Sequence, residues 1–139
     1  MKVRFNTQAG FTLVEIMVVV VIIGLLATFV LPNVVGRQDK AAETKARADI
    51  KQLESQLELY RLDNFNYPTS SQGLQALTGG SGTASSTYLK KLPKDPWKNE
   101  YQYASPGQKN PDGYDVWSFG ADGVAGGEGR NADIGNWEN

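Results

Sequence analysis

A single carboxylate, Glu15, stands inside an apolar segment near the start of this chain. No other residue between Phe11 and Pro32 carries a charge, and most are valine, isoleucine or leucine. A carboxylate costs roughly 2.5–3.5 kcal/mol at the middle of a bilayer and less near either face, so it is by default functional and has a partner. Glu15 is therefore a candidate for charge pairing in a low-dielectric environment.

A second candidate site is the acidic, glycine-rich loop between Gly120 and Asp133. Asp122, Glu128 and Asp133 supply carboxylates, and glycines let the backbone turn tightly enough to point carbonyl oxygens inward. Calcium takes six to eight oxygens of these two kinds. The loop lacks the EF-hand spacing, since no acidic residue stands two or four positions after Asp122. The composition leaves two interpretations open, a calcium-binding loop and a flexible acidic turn.

The residue types that are missing exclude much other chemistry. The 139-residue chain contains no cysteine and no histidine. It therefore has no disulfide, no thiolate nucleophile and no imidazole to act as a general base or zinc ligand. Its net charge is −1, whereas a nucleic-acid-binding surface would be clearly basic. We expect neither an enzyme nor a nucleic-acid partner.

The length of the apolar segment predicts that it crosses a membrane. The stretch from Phe11 to Pro32 matches the ~20 apolar residues that a helix needs to cross the hydrocarbon core. Lys2 and Arg4 precede it, and positive residues remain on the cytoplasmic side, so the rest of the chain is expected outside. A cleaved secretory signal would be shorter and would end in a small-x-small site. A plain anchor would not explain Glu15.

The helix that begins at Phe11 is predicted to continue far beyond the membrane, to about Asp63–Asn64. Pro32 is expected to kink or melt it locally, and Pro68 marks a limit, because the residue before a proline avoids the helical conformation. The membrane-distal half has an apolar stripe at spacings of four, three, four and three residues, which predicts one buried face: Ala46, Ile50, Leu53, Leu57 and Tyr60.

The remaining patterns predict a short helix followed by a hairpin. Thr69–Gln72 has the spacing of a capping box, and Leu74 and Leu77 give the following turn an apolar face. Alternation in Tyr101–Ser105 and Tyr114–Phe119 predicts two antiparallel strands. The expected fold class is α+β: a long N-terminal helix, with a transmembrane half and an amphipathic half, packed on a small antiparallel β-sheet, with a C-terminal glycine-rich loop.

The N-terminal pattern resembles the leader of the type IV pilin and pseudopilin superfamily. The resemblance rests on the basic residues Lys2 and Arg4, the stretch Gly10-Phe11-Thr12-Leu13-Val14-Glu15 and the apolar segment after it. The resemblance implies that a prepilin peptidase cuts between Gly10 and Phe11 and methylates the new amino group of Phe11. Cleavage would create a positive amine at Phe11, and we expect Glu15 of a neighbouring subunit to neutralise it, because an opposite charge nearby offsets much of the cost of burial.

The later part of the chain is similar to the major pseudopilins of type II secretion systems. The similar stretches are Tyr67–Leu77, Tyr88–Trp97 with Asn99, Tyr101 and Tyr103, and Asp133–Trp137. The absence of cysteine also fits, because many type IV pilins close a C-terminal loop with a disulfide. The resemblance implies a structural subunit that assembles into a periplasmic fibre and promotes export of folded proteins across the outer membrane. The expected parts are a cleaved leader at 1–10, a transmembrane and assembly helix at 11–32 and a periplasmic domain at 33–139.

The same resemblance implies a location and a set of partners. The chain is expected to cross the bacterial inner membrane once, with its C-terminal domain in the periplasm. Its expected partners are further copies of itself, minor pseudopilins, the prepilin peptidase, the inner-membrane assembly platform and membrane lipid. A type IV pilus subunit and a membrane-tethered periplasmic enzyme are the alternatives. The enzyme would need a carboxylate pair drawn from Asp112, Asp115, Asp122 and Asp133.

The resemblance favours the calcium interpretation of the C-terminal loop. Major pseudopilins bind calcium there through aspartates and main-chain oxygens. Asp122 and Asp133 match the aspartates, and Phe119 and Val124 stand where carbonyl ligands are expected. Ala132 departs from the family, because some members have an acidic residue at this position. Asn131 or Glu128 is then the expected substitute ligand.

Overall fold

The computed structural model describes residues 10–79 and 87–138, without the side chains of residues 30–35. The basic leader residues before Gly10 lie outside the described residues. The chain forms two compact units, Met1–Gln38 and Asp39–Asn139.

One long helix, α1, spans Leu13–Asn64 and contains 52 residues. It begins two residues after Phe11 and ends where the sequence predicted, and it includes Pro32 without a break, so the local melting expected there does not occur. Ion pairs at helical spacing cover its polar faces, as in Arg47–Glu43 at 3.0 Å and Arg61–Glu58 at 3.1 Å. Within the described part of the chain, no helix combines the length and the apolar character needed to cross a membrane.

The core of the second unit is built on the predicted apolar stripe of α1. All five stripe residues, from Ala46 to Tyr60, are at most 7% exposed. They form one cluster with buried residues of later elements, which are Leu74, Ala76, Leu77, Tyr101, Tyr114, Val116 and Ile134. The amphipathic half of the helix therefore packs on the sheet, as the sequence predicted.

The sheet has three antiparallel strands in the order β1-β2-β3. Strand β1 is Gln102–Ala104, β2 is Asp115–Ser118 and β3 is Ile134–Gly135. The first two are the predicted hairpin, whereas β3 was not anticipated, because two residues are too few to show alternation. Strand β3 pairs through Ser118 and Ile134, which fixes where the C-terminal loop begins and ends.

The short helix after α1 differs from the expected one. Thr69 and Gln72 make the reciprocal capping-box hydrogen bonds, Thr69 N to Gln72 Oε1 at 2.9 Å and Gln72 N to Thr69 Oγ1 at 3.3 Å. The turn stops at Gly73, whose φ is +59°, and a separate 3-10 helix then spans Leu74–Thr78. The predicted cap is present, but it closes a single turn because Gly73 leaves the helical conformation.

Candidate functional site

The three residues predicted for processing and assembly lie together at the start of α1. Gly10 and Phe11 precede the helix, and Glu15 is in its first turn. All three are exposed, and Phe11 is 80% accessible. Both the bond expected to be cut and the carboxylate expected to pair are therefore open to a partner.

Glu15 also has a local role that the sequence analysis missed. Its backbone N–H donates to Thr12 Oγ1 at 3.2 Å, and Thr12 N–H donates to Glu15 Oε2 at 3.5 Å. This is a capping box, which satisfies backbone donors that the first helical turn leaves free. The signal was present in the sequence as a threonine followed three residues later by a glutamate.

The first unit leaves its apolar side chains uncovered. Every large apolar residue between Phe11 and Phe29 is exposed, with fractions from 47% to 80%. A soluble monomer rarely exposes a contiguous apolar surface of this extent, so such a surface marks contact with other proteins or a membrane.

The second predicted site is the loop that joins β2 to β3. Phe119 directly follows β2, and Asp133 directly precedes β3. Because Ser118 pairs with Ile134, Phe119 and Asp133 lie at the same end of the sheet. The loop is closed at its base by a hydrogen bond from Ala121 N to Arg130 O at 2.9 Å. The sheet thus brings together two predicted ligands that are far apart in sequence.

Glycines give this loop a conformation that other residues would not adopt. Five of them have φ between +59° and +90°: Gly120, Gly123, Gly126, Gly127 and Gly129. At Gly127 a Cβ atom would also clash with the backbone of Asn131. The loop is consequently a specific tight fold.

The two carboxylate oxygens of Asp133 differ in their hydrogen bonding. Its Oδ2 accepts a hydrogen bond from Gly126 N at 3.0 Å. Its Oδ1 is buried and has no hydrogen-bond partner in the structure. An unsatisfied buried oxygen costs free energy and calls for an explanation such as an ion. A cation at Asp133 Oδ1 would supply that partner.

The other predicted ligands lie in or next to this loop and differ in how far they are exposed to solvent. Asp122 is exposed and accepts a hydrogen bond on Oδ1 from Val124 N at 3.1 Å. Phe119 and Asn131 are half-buried, Val124 is 62% exposed, and Glu128 is exposed. No group of three or more acidic residues able to hold a metal occurs in residues 10–79 and 87–138. These residues therefore fit calcium only if backbone carbonyl oxygens complete a coordination shell that contains two carboxylates. Calcium accepts such a mixture of ligands.

One of the carboxylates considered for an enzyme, Asp115, has a structural role. Asp115 is 2% exposed, and its oxygens accept hydrogen bonds from Lys109 N at 2.8 Å and Asn110 N at 3.0 Å. It therefore holds the turn between β1 and β2. A cavity of about 460 Å³ beside β1 is lined by Lys90, Lys91 and Lys94 and by none of the four aspartates of that alternative.

The pairing of two buried polar residues near the loop was not anticipated. Asp95 is 3% exposed and Ser118 is fully buried, and Ser118 Oγ donates to Asp95 Oδ2 at 2.6 Å. Asp95 precedes a proline, which suggests a turn. Nothing in the sequence indicates that Asp95 forms a hydrogen bond with Ser118.

Comparison with protein-family models finds two matches that together cover most of the chain. The model of the type II secretion system protein G matches residues 33–137. The model of the prokaryotic N-terminal methylation motif matches residues 5–31. The second match covers the Gly10–Glu15 stretch.

Relatives with curated descriptions agree with these matches. The chain is 52% identical to the type II secretion system core protein G of Vibrio cholerae, over 96% of this chain and 94% of that protein. It is 53% identical to the protein of the same description from Pseudomonas aeruginosa, over 95% and 96% of the two chains.

A solved structure shows the same fold. The crystal structure of the major pseudopilin from the type 2 secretion system of enterohaemorrhagic Escherichia coli is 42% identical. It matches with a TM-score of 0.63 over 76% of this chain and 95% of that one. The chain therefore belongs to the type II secretion system protein G family and is a structural subunit of a pseudopilus, not an enzyme.

Proposed function

We propose that the chain crosses the inner membrane once through residues 11–32 and places residues 33–139 in the periplasm. There it polymerises with further copies into a fibre that promotes export of folded proteins across the outer membrane. The observation that carries the proposal is the uncovered apolar surface from Phe11 to Phe29, preceded by Lys2 and Arg4. Lipid covers this surface before assembly, and neighbouring copies cover it in the fibre.

We propose further that the chain matures by cleavage between Gly10 and Phe11 and by methylation of Phe11. The methylation-motif match across this bond and the exposure of both residues support this. A prepilin peptidase acts on the subunit, while the inner-membrane assembly platform and minor pseudopilins act during polymerisation.

Intact mass of the chain extracted from membranes tests this maturation. The expected mass lacks residues 1–10 and includes one added methyl group. Gly10→Leu should keep the leader, because a side chain at this position blocks close approach of the protease to the backbone. Gly36→Leu is a matched control, since Gly36 is also exposed but lies far from the cleaved bond. Normal cleavage of the Gly10 variant would overturn the assignment.

In assembly, Glu15 pairs with the Phe11 amine of a neighbouring copy. An isolated carboxylate is costly in the membrane, and an opposite charge within a few ångströms offsets much of that cost. Within one chain, the Glu15 carboxylate receives only the long 3.5 Å contact from Thr12 N among the described hydrogen bonds. It therefore retains lone pairs for a partner.

The C-terminal loop holds a structural calcium ion in this proposal. Asp122 and Asp133 supply the carboxylates, and Phe119 and Val124 supply carbonyl oxygens, with Asn131 as a further ligand. The orphan Oδ1 of Asp133 is the observation that supports it. Bound calcium would neutralise the carboxylates and tie the loop to the end of the sheet.

A further inference from the structure

One buried carboxylate, Asp95, organises the turn that faces the C-terminal loop. Its Oδ1 accepts hydrogen bonds from Trp97 N at 3.0 Å and Asn99 N at 2.7 Å. The turn is closed by Asp95 N donating to Asn99 O at 2.9 Å. An ionised carboxylate carries acceptors only, so every group that contacts the Asp95 side-chain oxygens must donate to them.

This requirement fixes the hydroxyl of Ser118. Ser118 Oγ donates to Asp95 Oδ2 at 2.6 Å, a short bond of the kind that a charged acceptor produces. Because the hydroxyl proton is committed to Asp95, the lone pairs of Oγ remain to accept, and Gly120 N donates to them at 3.1 Å. A continuous chain of hydrogen bonds therefore runs from Asp95 to the first turn of the loop.

Gly120 is the point at which the two ends of the loop meet. Its φ is +72°, and a Cβ atom there would lie 2.7 Å from Ala132 O and 3.0 Å from Arg130 O. A shift of Gly120 would therefore move the backbone directly before Asp133. The position of Gly120 therefore affects the distance between the proposed ligands at the start of the loop, such as Asp122, and Asp133 at its end.

Asp95 reaches the loop by a second route through Asn99. The hydrogen bond to Asn99 N orients this residue, and a Cβ atom on Gly123 would lie 3.5 Å from Asn99 Nδ2. The Asn99 side chain thus lies alongside Gly123, next to Asp122. Both routes start at one buried carboxylate and end beside a predicted ligand.

We infer that Asp95 and Ser118 are positioning residues for the calcium loop, holding Gly120 and Gly123 where the loop closes around the ion. The inference rests on the calcium proposal made above. Neither residue is a ligand in this arrangement. Their contribution is to fix the loop before the ion binds, so that ordering it costs less on binding.

Calcium titration calorimetry on the detergent-purified full chain tests the inference. Ser118→Ala removes the hydroxyl. Asp95→Asn replaces the carboxylate oxygen that accepts from this hydroxyl with an NH2 group, which is a donor. Each should raise the calcium Kd on the order of tenfold, the factor that one hydrogen bond to a charged group contributes. Ser118→Thr retains the hydroxyl and should keep the Kd within about threefold of wild type.

Asp115→Asn is the matched control. Asp115 is also a buried aspartate that accepts backbone hydrogen bonds, but it anchors the turn between β1 and β2. It should lower stability while changing the calcium Kd less than about twofold. If Ser118→Ala weakens calcium binding no more than Asp115→Asn does, its effect is general destabilisation and the inference is wrong.

Amide hydrogen exchange in chelator separates this inference from the calcium proposal. Ser118→Ala should speed exchange at Gly120 and through the loop, whereas Asp115→Asn should not, when the two are compared at equal global stability. If the wild-type chain binds no calcium but the two variants still differ in this way, the ion assignment fails, and Asp95 and Ser118 still position the loop. Equal exchange in both variants overturns the positioning role.

Discussion

At the scale of single residues, Glu15 has two roles that mutation can separate. Its carboxylate takes part in the cap of α1 and, in the proposed fibre, pairs with Phe11 of the next copy. We expect Glu15→Val to be processed normally but to assemble poorly, because the buried amine loses its counter-charge. Glu15→Asp should retain part of the assembly.

Intact mass and electron microscopy of fibres measure these two outcomes. Thr12→Ala is the control, since it removes the capping hydroxyl, at a cost of about 1 kcal/mol, but leaves the charge of Glu15. Wild-type assembly by Glu15→Val would place the carboxylate in the headgroup region and remove the pairing role.

Asp133 is the residue on which the calcium site depends most. Calcium at a hundredfold excess over its Kd would stabilise the folded chain by about 2.7 kcal/mol, so wild type should melt at a higher temperature in calcium than in chelator. Magnesium should do less, because it requires a smaller octahedral shell. Asp133→Ala and Asp122→Ala should each abolish the difference.

Thermal melting of the purified chain, followed by circular dichroism, measures this effect. Glu128→Ala should be milder, since Glu128 is exposed and is only a substitute ligand. A wild-type melting temperature that is indifferent to calcium and chelator would leave the loop as a glycine-rich turn.

At the scale of elements, the C-terminal end of α1 has a residue poorly suited to its conformation. Phe65 follows the helix with φ of +64° and donates its N–H to Arg61 O at 2.7 Å. Helices that end this way usually have glycine at this position. Phe65 is 88% exposed, so removing its ring loses little packing.

Phe65→Gly should therefore raise the free energy of unfolding by about 1 kcal/mol, because glycine adopts the left-handed conformation without the steric cost. Urea denaturation at constant pH gives the value. Phe65→Ala is the control, since alanine keeps the backbone penalty while removing the same ring. An equal change in both variants would show that the ring, and not the backbone, decides the outcome.

At the scale of the whole molecule, buried and partly buried tyrosines make stability depend on alkaline pH. Burial raises the pKa of Tyr103 to about 12 from an ordinary value near 10, and it raises the pKa of Tyr101 and Tyr114 as well. A raised folded-state pKa contributes stability that is present below the unfolded pKa and is lost as pH rises through the folded pKa. Stability should consequently fall between about pH 10 and pH 12.

Tyr103→Phe should make this fall shallower. The variant also loses the hydrogen bond from Tyr103 Oη to Pro68 O at 2.7 Å, so it should be about 1 kcal/mol less stable near neutral pH. Urea denaturation of wild type and Tyr103→Phe at about pH 9 and about pH 11 gives the change in the free energy of unfolding with pH for each protein. Lysines also titrate in this range, but they contribute equally to both proteins. Parallel slopes would contradict the role of Tyr103.

The sequence by itself determined the features that depend on neighbouring residues. The stripe from Ala46 to Tyr60 follows helical geometry, so it predicted the buried face of α1 that the structure confirms. Alternation predicted β1 and β2, and the Gly10–Glu15 stretch with the later similarities predicted the family that the comparisons confirm. Cleavage at Gly10, pairing of Glu15 and calcium in the loop stay predictions.

Only the tertiary structure decided the contacts between residues that are far apart in sequence. Strand β3 is two residues long and exists because β2 offers it a partner. Asp95 and Ser118, 23 positions apart, form one buried pair, and Asp133 Oδ1 is an orphan only because the folded loop covers it. The spacing of neighbouring residues cannot predict these contacts, because the burial and hydrogen bonding of a polar atom depend on which distant residues the fold brings against it.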